Sequence, residues 1–264
     1  MKKILAAFQF LTIIPIRVRG ELSENDIAGS SVFFPLVGLF QGAILAGASF
    51  ISLKFFSPGV TAAIVMSVYL LTNGGFHMDG LSDTFDALSV KSSGEPEKDR
   101  LKRLAVMRDS SSGPIGATAI ALSLLFKYVL LKEVLESAGY CVLLLMPVVS
   151  AWSMTMMMPG AKSARSDGLG KIFFERVKRG HALAATILAA VFSCVIYFLT
   201  ARSTYVGDKC FVSFFLAAIA LALCAGCILR SLCTARFSGL TGDNLGAIRE
   251  TSEIILLLAA AIWL

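Results

Sequence analysis

The chain alternates long apolar runs with short polar connections, and about 20 consecutive apolar residues is what a helix needs to cross a bilayer. Runs of that length fall at about 32–53, 58–76, 113–131, 138–158, 181–200, 211–229 and 245–264. Backbone polar groups find no partner in lipid, so such runs must close their hydrogen bonds within helices. The prediction is an all-α fold: a polytopic integral membrane bundle of about seven transmembrane helices, forming a single domain over residues 1–264. Hydrophobic residues make up 56% of the chain and charged ones 16%, whereas soluble domains carry about a quarter charged. The opening MKKILAAFQFLTIIPI begins like a signal peptide, but Arg17 and Arg19 stand where a small-residue cleavage site belongs. It reads as a retained interfacial or re-entrant helix.

Cytoplasmic loops of membrane proteins carry the excess of Lys and Arg. With seven spans, 19 of the 24 basic residues fall on one side, only Lys54, Lys132, Arg202 and Lys209 on the other, and Lys127 within a run. This predicts a cytoplasmic N-terminus and an external C-terminus. Both long polar connections, about 87–111 and 159–180, then face the cytoplasm, where soluble substrates arrive. The net charge of +6 follows from this topology and from anionic lipid, and no basic-aromatic motif asks for nucleic acid. Cys224 and Cys227 have CxxC spacing, but within LALCAGCIL they have no further Cys or His ligand and read as small hydrophobes.

The chemistry concentrates in NGGFHMDGLSDTFDAL, Asn73 to Leu88. On a helix, Asp79, Asp83 and Asp86 fall at i, i+4 and i+7 and share one face beside His77. Three carboxylates on one face repel each other unless a cation joins them, and a hard divalent ion such as magnesium takes carboxylate oxygens together with substrate phosphates. A solvated acidic helix start is the alternative. RDSSSGPIGATA, Arg108 to Ala119, offers Arg108, Asp109, Ser110, Gly113 and Gly116 at the entrance to a span, either as a phosphate cradle or as ordinary helix capping. RSDGLGKIF, Arg165 to Phe173, has a similar mix of cations and glycines, and reads as a loop or a further contact. In the last run, Asp243 and Glu250 are seven residues apart on one face, near Arg249 and Glu253. Ionisable groups at membrane depth mark function, here a second metal or phosphate contact. The alternative is an interhelical ion pair of Glu253 with Arg249 or Lys127. Walker, nucleophile-elbow and HExxH motifs are missing. The acids and glycines suit transfer of a phosphoryl-linked group.

These segments resemble the cobalamin synthase family, the adenosylcobinamide-GDP ribazoletransferases. The likeness is carried by FFPLVGLFQGAILA, GGFHMDGLSDTFDAL, MRDSSSGPIGA, RSDGLG, and GLTGDNLGA with Glu250 and Glu253, in the family's order. Phe76, Met78 and Ser82 depart from common family residues without removing a carboxylate. The resemblance implies a magnesium-dependent transferase of the bacterial cytoplasmic (inner) membrane, its site facing the cytoplasm. It would join adenosylcobinamide-GDP to α-ribazole or its 5′-phosphate and release GMP, near other enzymes of the corrinoid pathway. Asp79, Asp83 and Asp86 would hold magnesium on the pyrophosphate, with Asp243 and Glu250 completing the site. Arg108 and Arg249 would offset phosphate charge, and His77 or an aspartate would accept the hydroxyl proton. A CDP-alcohol phosphotransferase is the nearest rival, but Asp79-Gly80 is not followed by that family's Ala-Arg. An ion-coupled transporter would put its acids near the bilayer midplane in repeated halves, and no repeat is visible.

Overall fold

The computed structural model describes residues 1–18, 20–109, 111–137, 139–200 and 208–263, with side chains at all of these except 200 and 208–212. The described residues form α1 (Lys2–Leu11), α2 (Glu24–Ser30), α3 (Phe34–Ser52), α4 (Pro58–Asn73), α5 (Phe76–Ser89), α6 (Pro96–Val106), α7 (Pro114–Glu136), α8 (Cys141–Met157), α9 (Leu169–Arg176), α10 (Arg179–Thr200), α11 (Asp208–Phe237) and α12 (Gly242–Trp263). Among them no strand forms beyond one isolated bridge, between Ser163 and Leu240. The protein is an all-α bundle built from each of the seven apolar runs.

Helix starts follow local chemistry. Ser23 and Asp26 form a reciprocal capping box on α2. Proline sits in the first positions of α3, α4, α6 and α7, where its missing N–H leaves no gap. α8 is buried along nearly its whole length, with α3, α10, α11 and α12 packed around it. Outward-facing positions are apolar, as at Leu122, Leu125 and Phe126 of α7, Leu183 and Ile187 of α10, and Leu216 and Ile228 of α11. Polar groups such as Ser123 and Lys127 turn inward. That inversion is how a helix bundle meets lipid.

The spans differ in detail from seven uniform helices. Four stretches are long and apolar enough to cross a membrane: Glu24–Ser52, Pro114–Glu136, Arg179–Leu199 and Ser213–Phe237. A fifth is the pair α4 and α5, bent by 87°. α8 is short, and α12 carries four charged residues among its apolar ones. The run expected at 58–76 breaks because Gly74 and Gly75 both have left-handed backbones, with φ of 66° and 74°, which glycine adopts without steric penalty. α1, with ten residues, has half the length needed to span. It packs on α2 and α3.

Candidate active site

The bend at Gly74-Gly75 turns α5 away from α4 and lays it against α12 and α7. A Cβ at Gly80 would come within 2.7 Å of the Asp243 carbonyl oxygen, and one at Gly246 within 3.1 Å of the His77 backbone. Hydrogen at these two positions therefore lets α5 and α12 touch backbone to backbone. Asn244 adds a side-chain bond to Thr84 at 3.0 Å. This contact brings the start of α12, with Asp243, alongside the acidic face of α5.

The three α5 aspartates have different fates. Asp79 is exposed and Asp83 half-buried. Neither carboxylate accepts a hydrogen bond or joins an ion pair among the described residues, and Asp83 lies in the field of Asp79, Asp243 and Asp86. Asp86 departs from the expected ligand role. Its buried carboxylate accepts the Gly113 N–H at 2.7 Å and the Gly116 N–H at 2.8 Å, two orphan donors at the start of α7. A Cβ at Gly113 or Gly116 would overlap that carboxylate. These glycines, expected to hold phosphate, instead let an aspartate cap α7. Asp109 accepts from the N–H and Oγ of Ser111, closing its own turn. Ser110 lies outside the described residues. Arg108 forms an exposed pair with Asp167 at 2.9 Å.

Asp243 joins the site through a loop that the sequence reading left open. Backbone bonds from Ala164 to Leu240 and from Leu240 to Lys162, both 2.8 Å, staple residues 162–164 to the approach to α12. The staple lays Arg165 over Asp243 at 3.0 Å, while the same guanidinium donates to the Met107 carbonyl at 3.2 Å. A cavity of about 500 Å³ opens here, between α1, α2, the 163–171 loop and the α12 start, with His77, Arg165, Lys171, Thr241 and Asp243 on its polar wall and Phe10, Phe76 and Phe173 on its apolar one. The acidic cluster meets this cavity at Asp243.

For Glu250 and Arg249 the structure shows the alternative, an interhelical ion network. Both are buried, and they form a network with Glu253 and Lys127. Lys127 Nζ lies 2.5 Å from Glu250 and 2.5 Å from Glu253, and Arg249 Nε lies 3.2 Å from Glu253. Arg249 also donates to Gln41 at 2.5 Å and to Tyr69 at 2.8 Å, Tyr69 donates to Glu253, and Ser150 donates to Glu253 at 3.0 Å. Two cations face two anions, with Gln41, Tyr69 and Ser150 supplying further hydrogen bonds, the condition under which buried charge is tolerated. The network ties α12 to α3, α4, α7 and α8. Glu250 Oε2 is taken up by Lys127, and the Arg249 guanidinium by Glu253, Gln41 and Tyr69.

His77 is also constrained. Arg249 Nη1 lies 3.3 Å from His77 Nε2. Arginine only donates, so Nε2 is the acceptor and the proton of the neutral ring sits on Nδ1. Nδ1 is buried without a partner. The imidazole thus has no free lone pair with which to remove a proton.

Among the described residues, no three His, Cys, Asp or Glu side chains gather closely enough to enclose a metal. Magnesium does not require such a cage, since it binds through one or two carboxylates plus phosphates and water. The unpartnered carboxylates of Asp79 and Asp83, with Asp243 across the helix contact, fit that mode. The sequence reading missed Arg165 as a site residue, and Gln41 and Tyr69 as members of the network. Arg165 was visible only as a cation in a glycine-rich loop, whereas the polar groups inside apolar helices were signals for the other two.

Comparison with known proteins gives the family. The family model described as cobalamin-5-phosphate synthase, CobS, matches residues 3–261. The adenosylcobinamide-GDP ribazoletransferase of Thermodesulfovibrio yellowstonii is 34% identical, with 100% of this chain and 99% of the relative covered. That of Pseudomonas syringae is 34% identical over 97% of each chain. That of Clostridium novyi is 30% identical over 98% of this chain and 96% of its own. No solved structure matches. On a match over nearly its whole length, the chain belongs to the cobalamin-5-phosphate synthase family.

Proposed function

We propose that this protein is an adenosylcobinamide-GDP ribazoletransferase, which transfers the adenosylcobinamide-phosphate group to α-ribazole or α-ribazole 5′-phosphate and releases GMP. Full-length likeness to relatives of that name supports the reaction. The observation that carries the site is the pair of unpartnered carboxylates, Asp79 and Asp83, held against Asp243 by the Gly80 and Gly246 contacts. Asp79, Asp83 and Asp243 are the residues that would hold magnesium. Bound there, the ion would supply neutralisation of the pyrophosphate and stabilisation of the departing GMP phosphate.

The acceptor hydroxyl oxygen forms the new bond to the phosphorus attached to cobinamide, while the bond from that phosphorus to the GMP oxygen breaks. A carboxylate of the acidic cluster takes the hydroxyl proton, because His77 has no lone pair to offer. Arg165 sits where charge develops on phosphate oxygens, held in place by Asp243 and the Met107 carbonyl. The cation-rich connections around both long loops support a site on the cytoplasmic face of a bacterial inner membrane.

The test is GMP release by purified protein given adenosylcobinamide-GDP and either acceptor, with and without magnesium. Metal-dependent release with a matching corrinoid product is expected. No release from folded protein under these conditions would overturn the proposal.

A further inference from the structure

A second chamber, of about 800 Å³, lies between α6, the 161–166 loop and α9. It shares Ser163, Arg165 and Lys171 with the first cavity, so the two adjoin along these residues. The chambers differ in charge. The first meets the acidic cluster, where phosphate is tolerated only with a cation between. The second is lined by Arg100, Arg108, Lys162, Arg165 and Lys171, with Glu175 the one carboxylate of its lining; Arg100 pairs with Glu97 at 2.6 Å and Lys171 lies 3.9 Å from Glu175. Lys162 is exposed and has no acidic partner among the described residues. The Arg108–Asp167 pair is open to solvent, and exposed pairs of that kind exchange partners at little cost. The Arg165 Nε is buried without a hydrogen bond.

We infer that this chamber holds the phosphomonoester of the acceptor, bound directly by cations, an assignment that rests on the transferase reading above. The donor's pyrophosphate has a metal to neutralise it at the aspartates. The acceptor's phosphate, with about −1.5 to −2 charge at neutral pH, has none, and needs side-chain cations that are unpaired or held only in exposed, exchangeable pairs. Lys162, unpaired among the described residues, the exposed Arg108 and the half-buried Lys171 of the second chamber meet that need, and the residues it shares with the first let one acceptor put its phosphate in one chamber and its hydroxyl toward the other. Only Phe174 among its lining residues offers an aromatic face, so the chamber suits a phosphate more than a nucleobase.

The test compares kcat/KM for α-ribazole 5′-phosphate and α-ribazole in the wild type, Lys162→Ala, Arg108→Ala and their double variant. Lys98→Ala, on α6 but outside the chamber, is the control for general charge. Loss of one charge-assisted contact should lower the ratio of phosphorylated to unphosphorylated acceptor about tenfold per variant, with no change in the control. Calorimetry in EDTA should show α-ribazole 5′-phosphate binding to the wild type without metal, about tenfold more weakly to Lys162→Ala. An unchanged ratio in an active enzyme overturns the inference alone. A rise in donor KM would then assign the chamber to the donor, and loss of binding to anionic nanodiscs would assign it to a lipid headgroup. An inactive, folded wild type would overturn the transferase reading, and this inference with it.

Discussion

Lys127→Met removes one of the two cations in the buried network and leaves two carboxylates facing Arg249. Glu253 keeps Arg249, Tyr69 and Ser150 as partners, so the stranded charge is Glu250, left with Ser123 at 3.4 Å. Breaking a buried pair from one side costs about 3–5 kcal/mol. At about 2–4 °C per kcal/mol for a chain near this length, the apparent melting midpoint should fall by roughly 6–20 °C. Adding Glu250→Gln returns the network to one cation and one anion, and should recover most of the loss, a coupling of about 1–3 kcal/mol. The assay is tryptophan-fluorescence melting of protein in nanodiscs, with Trp152 buried beside the network's helices as reporter. Turnover of the folded double variant should persist, because Glu250 holds α12 in place and touches no substrate. An unchanged midpoint in the single variant, or a double variant with additive losses, would refute the pairing. Abolished metal response in a stable double variant would return Glu250 to the metal site.

Asp86→Ala should strip the cap from α7 and strand two amides, lowering stability by about 1–3 kcal/mol while the magnesium dependence of GMP release stays as in wild type. A shifted magnesium requirement would make Asp86 a ligand. His77→Gln keeps an acceptor for Arg249, so the acidic limb of the pH–rate profile should survive, and its disappearance would identify His77 as the base. At the start of α6, the Asp99 carboxyl is held down at about 2 by hydrogen bonds from the Ser92 hydroxyl and from the Ser93 hydroxyl and amide. A depressed carboxyl stabilises the fold above its ordinary value of about 4 and loses that contribution as pH falls through about 2. Amide exchange across residues 90–99 should therefore quicken only in that acidic window in wild type, but already at pH 7 in Asp99→Asn. Equal exchange in the two at pH 7 would exclude the contact.

Much of this architecture was legible residue by residue. Apolar runs of span length marked the helices, and the i, i+4, i+7 spacing placed Asp79, Asp83 and Asp86 on one face. The division of labour among those acids was not legible. It depends on where the first turn of α7 lands, and nothing within Gly74 to Leu88 states that Gly113 and Gly116 will press on Asp86. Glu250 and Asp243 share a helical face by spacing, yet their surroundings diverge because Lys127 reaches in from α7 at one and Arg165 from a loop at the other. Pairings between distant elements are set by packing, which local periodicity does not encode. The sharp turn at Gly74-Gly75 stood in plain view as two adjacent glycines, but the continuous apolar run around it concealed the break.

The central claim is that Asp83, with Asp79 and Asp243, holds the metal on which transfer depends. Titrating magnesium against GMP release in the wild type and in Asp83→Asn tests it most directly. Asp83→Asn keeps side-chain size and removes one charge, so turnover should fall by about 10²–10³ and the magnesium concentration for half-maximal release should rise at least tenfold, with folding unchanged. Near-wild-type turnover with the same magnesium response would contradict the account.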